Sequence, residues 1–223
     1  MNAVVQTSNL GRRFGRRWAV ARIDLTVGVD ERLLVIGPNG CGKTTLLRLL
    51  STLLPADQGR IEWMGGDAKH RDSIGLMGHE TGVYEDLSAA ENLAVFARFV
   101  GANGDEIPAL LDTVGLDKRP DPVARYSAGM RRRLALALLL QKQPKLALLD
   151  EPFAQMDPGG IAQVSSAIRA LPGAVIIASH QVQHAAPLCT RALLMDEGQV
   201  RWMGPATQAE AAWRALHQER GDL

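Results

Sequence analysis

Short apolar runs bounded by turn residues alternate along the chain with stretches of helical spacing, a pattern that predicts parallel strands joined by crossover helices. Four runs, Arg32 to Ile36, Leu146 to Leu149, Ala174 to Ala178 and Ala192 to Met195, carry Leu, Val, Ile and Ala without polar alternation. Strands of that composition suit a sheet covered on both faces. Between Leu87 and Leu140 the pattern becomes helical: Leu87, Asn92, Leu93, Phe96 and Phe99 are followed by Leu110, Leu111 and Val114. This predicts a helical lobe inserted into the sheet core, over about 87–144, with the remainder at about 1–86 and 145–223. Gly59 to Trp63 and Gln199 to Met203 read as short antiparallel strands, the second entered through the Asp196-Glu197-Gly198 turn. Thr207 to Gln218 reads as an amphipathic helix, and the fold class is α/β.

Composition narrows the partners. The chain has 223 residues, of which 46% are hydrophobic and 22% charged, which excludes a disordered or collagenous chain. Lys and Arg number 25 against 24 Asp and Glu. That balance argues against a dedicated nucleic-acid binder, which needs a basic field. Apolar runs such as Leu134 to Leu140 fall far short of the ~20 residues a bilayer span needs. The first ten residues lack a basic segment followed by an apolar one, and Cys41 and Cys189 are the only cysteines. A cytoplasmic chain is expected.

Gly37-Pro38-Asn39-Gly40-Cys41-Gly42-Lys43-Thr44 matches G-x-x-x-x-G-K-[ST], follows the strand ending at Ile36 and opens the helical run Thr45 to Leu50. Glycines let successive N–H groups curl around a phosphate, and the helix N-terminus adds partial positive charge. Lys43 is expected to bridge the β- and γ-phosphates of ATP from a solvent-facing site, and the Thr44 hydroxyl to ligate Mg²⁺. Cys41 reads as a small filler, against a redox switch. Leu146 to Glu151 is an apolar strand ending in two acids. Asp150 can hold Mg²⁺ through water, and Glu151 can polarise a water at the γ-phosphate. Ser179-His180 ends the next strand, from which the imidazole can reach the same water. His184 makes a His-x-x-x-His pair with His180, but no third zinc ligand stands nearby.

Tyr126-Ser127-Ala128-Gly129-Met130 lies between the helical lobe and an apolar helix. With the phosphate loop, Asp150, Glu151, Asp157 and His180, it resembles the ATP-binding cassette family, from about Phe14 to His180. The resemblance implies a P-loop NTPase (RecA-like) core with a small antiparallel β-subdomain and an inserted α-helical subdomain. It implies a homodimer of two cassettes closing head to tail, each ATP lying between one subunit's phosphate loop, Gly37 to Thr45, and the other's Ser127, Ala128, Gly129 and Asp157. Phe14 stands where the family carries the aromatic that stacks on adenine; a place in the β-subdomain core is the other reading. Transmembrane permease subunits are the implied partners, with the ATPase peripheral on the inner face of the cell membrane and no nucleic acid expected.

The sequence departs from the family's usual Leu-Ser-Gly-Gly-Gln at Tyr126, Ala128 and Met130, and carries His79 where the family has a Gln facing Mg²⁺ and the membrane partner. Gln155 and Met156 form an unusual pair before Asp157. The segment Met77 to Tyr84, followed by Asp86-Leu87-Ser88 and Glu91-Asn92-Leu93, is similar to the ATP-binding subunit of the heme exporter of cytochrome c maturation, though other short transporter ATPases for antibiotics, lipids or sugars can share it. A soluble cassette ATPase acting on nucleic acid or ribosomes fits less well, since no long heptad insertion or second cassette is present. The triplet Arg131-Arg132-Arg133 reads as a structural helix face. A small-molecule P-loop kinase would avoid the water-activating Glu151 and His180.

Overall fold

The computed structural model describes residues 3–63, 70–78 and 82–220. Two long strands, β1 (Ala3–Phe14) and β2 (Arg17–Gly28), form an antiparallel hairpin, and β3 (Arg32–Ile36) leads into α1 (Lys43–Leu50). Next come β4 (Gln58–Trp63), α2 (His70–Ser73) and β5 (Ile74–Met77). Three helices follow, α3 (Ala89–Val100), α4 (Ile107–Thr113) and α5 (Ala128–Lys142). The chain closes with β6 (Leu146–Asp150), α6 (Pro158–Ala170), β7 (Ala174–Ala178), α7 (Val182–Ala185), β8 (Arg191–Asp196), β9 (Gln199–Pro205) and α8 (Ala209–Arg220).

All four expected parallel strands lie in one six-stranded sheet of order β5-β6-β7-β3-β8-β9, in which only β8 and β9 pair antiparallel. The two short antiparallel strands separate: β9 closes the edge of this sheet, whereas β4 joins β1 and β2 in a three-stranded antiparallel sheet. The hairpin and β5 are elements the hydrophobic pattern had not indicated.

Because side chains alternate across a strand, the central strands feed two cores. Leu34, Ile36, Ala147, Leu149, Val175 and Ile177 pack with α3 to α6. Leu33, Val35, Leu148, Ile176 and Leu193 pack with α1 and the antiparallel sheet. This two-sided burial is why these strands carry no polar alternation.

Local signals fix the helix starts. Ser88 caps α3 in a capping box, its Oγ accepting from Glu91 N while the Glu91 carboxylate accepts from Ser88 N at 2.8 Å. The bonds that the Glu91 carboxylate accepts from Ser88 N and, at 2.7 Å, from Ser88 Oγ hold its carboxyl below its usual range. Asn92, buried, donates to the carbonyls of Tyr84, Leu87 and Ser88. The Ser88-Glu91-Asn92 group that helped mark a subfamily is thus also a device that starts a helix.

Candidate functional site

In register, Val35 of β3 and Asp150 of β6 both pair with Ala178 of β7. The carboxyl ends of three adjacent strands therefore finish level, which brings Gly37, Glu151 and His180 to one edge of the sheet. That edge is where open α/β sheets bind ligands.

The phosphate loop is held from behind. Gly42 adopts φ +113, and a Cβ there would lie 2.1 Å from the Ala19 carbonyl oxygen of β2. A Cβ on Gly37 would lie 2.2 Å from the Met195 carbonyl oxygen of β8. The β8–β9 turn stitches the two together: Gly198 N donates to Cys41 O at 2.9 Å, and Ala21 N donates to Gly198 O at 2.8 Å. Pro38 is half-buried, while Asn39 and Gly40 are exposed at the crest of the loop. Gly42 caps α1 without a side-chain hydrogen bond, and no acid sits in its first turn. The first-turn amides keep their capacity for an anion.

Lys43 does not face solvent as expected. It is buried at 7% exposure, with Nζ donating to Gly37 O at 2.7 Å and Pro38 O at 3.2 Å. The loop curls around the ammonium, so its own carbonyls receive the charge. Thr44 and Thr45 are half-buried in the first turn of α1. Cys41 is buried, and burial raises its thiol pKa, which fits the filler reading and removes the thiolate a redox switch needs.

Asp150 is 5% exposed and its Oδ1 has no hydrogen-bond partner. Burial pushes its carboxyl up, against the hydrogen bond from Thr44 and the charges of Lys43 and Arg48. A buried, unpartnered carboxylate oxygen beside a threonine hydroxyl suits a hard cation that prefers oxygen ligands, so Thr44 and Asp150 fit Mg²⁺.

Glu151 has the left-handed backbone φ of +50. Its carboxylate accepts from Ser179 Oγ at 3.1 Å and from His180 N at 3.1 and 3.3 Å, and His180 Nδ1 lies 2.9 Å from Oε1. The imidazole remains 47% exposed. Ser179, fully buried, also accepts from Gln181 N at 3.0 Å. His184 instead rests against the Phe153 ring at 6.0 Å.

Ser127 and Asp157 occupy equivalent positions. Ser127 Oγ caps α5 by accepting from Met130 N at 3.2 Å, and Asp157 Oδ1 caps α6 by accepting from Gly160 N at 2.7 Å. A Cβ on Gly129 would be 3.5 Å from Gln155 O, so the two segments touch; Ala128 is half-buried beside them. Among the described residues no hydrogen bond joins this pair of helix starts to the loop around Lys43. Phe14 lies at the hairpin end opposite Arg17, 53% exposed, with the Arg12 guanidinium 5.3 Å from its ring centroid. This exposure overturns the core reading of Phe14. His79 lies outside the described residues. Ser179 and Arg132 are site residues that the sequence did not single out; Arg132 is buried and donates to Glu151 O at 2.9 Å.

A parallel sheet whose central strand runs through G-x-x-x-x-G-K-T into a helix, with an acid ending a nearby strand, defines a P-loop nucleoside triphosphatase. The profile of the ABC transporter family matches residues 20–154, and the chain belongs to that family. It is 37% identical over 215 residues to the daunorubicin resistance ATP-binding protein DrrA3 of Streptomyces coeruleorubidus, covering 90% of this chain and 67% of that protein. It is 40% identical over 182 residues to the cytochrome c biogenesis ATP-binding export protein CcmA of Xanthomonas axonopodis pv. citri, covering 78% and 85%. A dimeric post-hydrolysis structure of the ATP-binding cassette MJ0796 bound to ADP and Pi superposes with a TM-score of 0.81 at 20% identity, covering 91% of this chain and 98% of that one. The chain is an ATP-binding ABC ATPase.

Proposed function

We propose that the chain works as a homodimer that hydrolyses ATP to drive a separate transmembrane permease, from the inner face of the cell membrane. The observation that carries this reading is the level edge at which Lys43, Asp150, Glu151 and His180 converge. Gly37 to Thr45 hold the triphosphate, and Lys43 shifts its ammonium from the loop carbonyls to the β- and γ-phosphates. Thr44 and Asp150 would hold Mg²⁺, which would supply positive charge against the phosphate oxygens. Glu151 polarises the attacking water; His180, in contact with it, orients the γ-phosphate. Ser127, Ala128, Gly129 and Asp157 complete the site of the partner subunit, and Phe14 presents its free ring face to adenine.

Among the described residues no helix is long and apolar enough to cross a membrane. A cleft of about 110 Å³ that includes Tyr84, Phe96, Phe99 and Leu138 has room for one side chain of the permease's cytoplasmic segment, with Phe99 76% and Tyr84 57% exposed beside it. Two cargo readings stand. Heme export for cytochrome c biogenesis draws support from the segment Met77 to Leu93 and the Xanthomonas relative. Drug export draws support from the daunorubicin resistance relative, which aligns over more of the chain.

The test is Glu151→Gln, which keeps the shape of the side chain but not its basicity. ATP affinity should persist, turnover should fall at least 100-fold, and light scattering should show ATP-dependent doubling of mass. A variant that turns over like the wild type would end the role of Glu151. Co-purification with a permease that confers heme or drug efflux decides the cargo.

A further inference from the structure

Arg132 stands on the second turn of α5 with 5% exposure, and its Nη1 donates to the backbone carbonyl of Glu151 at 2.9 Å. Its neighbours in the basic triplet do ordinary packing work: Arg131 donates to Tyr126 O at 2.8 Å, and Arg133 donates to the carbonyls of Val114 and Gly115 and to Gln163. A buried guanidinium is costly, and it persists where its charge and its donors are used. Two features show what this one is used for. Glu151 sits at φ +50, a conformation that costs a residue with a Cβ about 1–2 kcal/mol and must be held by its surroundings. The peptide on its amino side is fixed by Glu151 N donating to Ala178 O at 2.8 Å, which leaves its own carbonyl as the second point of control.

We propose that Arg132 is a positioning residue for hydrolysis: by holding the Glu151 carbonyl it keeps that residue in the left-handed turn that aims its carboxylate at the water-binding side of the sheet edge. The tether runs from α5, the helix whose first turn is the Ser127 to Gly129 segment. Movement of α5 therefore reaches the Glu151 backbone through one hydrogen bond. The inference rests on the proposed role of Glu151, and its test is built to separate the two.

Four variants of the purified chain, Arg132→Met, Arg132→Lys, Glu151→Gln and the double variant Arg132→Met/Glu151→Gln, are compared with the wild type by steady-state ATPase activity, fluorescent-nucleotide affinity and thermal midpoint. Arg132→Met removes charge and donor at similar length. It should lower kcat about 10- to 100-fold, leave ATP affinity within about twofold and leave the thermal midpoint unchanged or higher, since an apolar replacement of a buried charge is often neutral or stabilising. Arg132→Lys keeps a cationic donor and should recover part of the lost kcat. In the Glu151→Gln background, Arg132→Met should change the residual rate less than twofold, because both act through one group. A structural role alone would lower the midpoint and kcat together with no rescue by Lys, and that result overturns the proposal, as does an unchanged kcat in Arg132→Met. An equal fold-loss in both backgrounds overturns action through Glu151 while leaving the role of Glu151 intact; full activity in Glu151→Gln alone overturns both.

Discussion

Substituting alanine at Gly42 and at Gly40 should produce unequal damage, although both glycines belong to the phosphate loop and both have positive φ, +113 and +78. Each substitution incurs the left-handed penalty of about 1–2 kcal/mol. At Gly40 nothing lies within 4 Å of the new methyl, so the penalty ends there. At Gly42 the methyl would sit 2.1 Å from the Ala19 carbonyl oxygen. Both atoms are on backbone, so no side-chain rotation relieves the contact, and the loop or β2 must move by about 1 Å to restore van der Waals distance. Overpacking of this kind adds about 1–3 kcal/mol. The expected losses are therefore about 1–2 kcal/mol for Gly40→Ala and about 2–5 kcal/mol for Gly42→Ala. Urea unfolding at unchanged m-value measures both. A displacement of about 1 Å also disturbs the amides proposed to meet the phosphate, so calorimetry should show ATP binding to Gly42→Ala weakened by about 100-fold. Equal stability losses in the two variants, or unchanged ATP affinity in Gly42→Ala, would refute the claim that contact with β2 sets the shape of the loop.

Other substitutions test other links. Lys43→Ala should remove measurable nucleotide binding in calorimetry while the far-ultraviolet circular dichroism stays native: the loop loses two charge-assisted bonds worth about 1.5–3 kcal/mol each but is relieved of a buried ammonium. Ser179→Ala removes the donor to the Glu151 carboxylate and leaves Gln181 N unpaired; kcat should fall about tenfold with ATP affinity intact, and an unchanged kcat would show that the carboxylate needs no such support. Cys189 has its pKa pushed up by burial to about 12 from 9.0. Since the folded value lies above the unfolded one, its contribution to stability is full below pH 9 and is lost as pH rises toward 12. Unfolding free energies measured from pH 8 to 11 should fall more steeply for the wild type than for Cys189→Ala, and parallel curves would contradict the burial argument.

The buried parallel strands were legible because burial on both faces leaves an apolar run with nothing to interrupt it. The hairpin was not, for two different reasons. In β2 the signal was present, but as a period of two instead of a continuous apolar run: Ile23, Leu25 and Val27 are buried and alternate with Asp24 and Thr26. In β1 the signal was damaged. A register shift between Ala3 and Val5 puts Val4 beside Val5 on the buried side, and shifts from Thr7 to Leu10 and on to Arg12, with Asn9 at φ +50, put Leu10 beside Gly11 there. A bulge turns every following side chain over, so no single period spans the strand. β5 has only four residues, too few for any periodicity.

The site divides along a different line. Groups proposed to meet the nucleotide are confined to a few residue types at fixed local spacing, because a phosphate oxygen, a metal ion and a water each demand particular donors and acceptors; Gly37 to Thr44, Asp150 and Glu151 stand out in the sequence for that reason. The groups that hold them carry no such restriction. Ser179 reaches Glu151 from 28 residues away and Arg132 from 19, and a serine after a strand or an arginine in a basic triplet is as common on a solvated face as in a core. Arg131, Arg132 and Arg133 are indistinguishable along the chain, yet helical geometry turns successive positions by about 100°, and of the three it is Arg132 that donates to Glu151. Its desolvation, which lowers its pKa against the pull of Asp150 and Glu151, arises from tertiary packing alone. Chemistry that touches a ligand is therefore read along the chain, whereas the rigidity that makes such chemistry effective is read only across it.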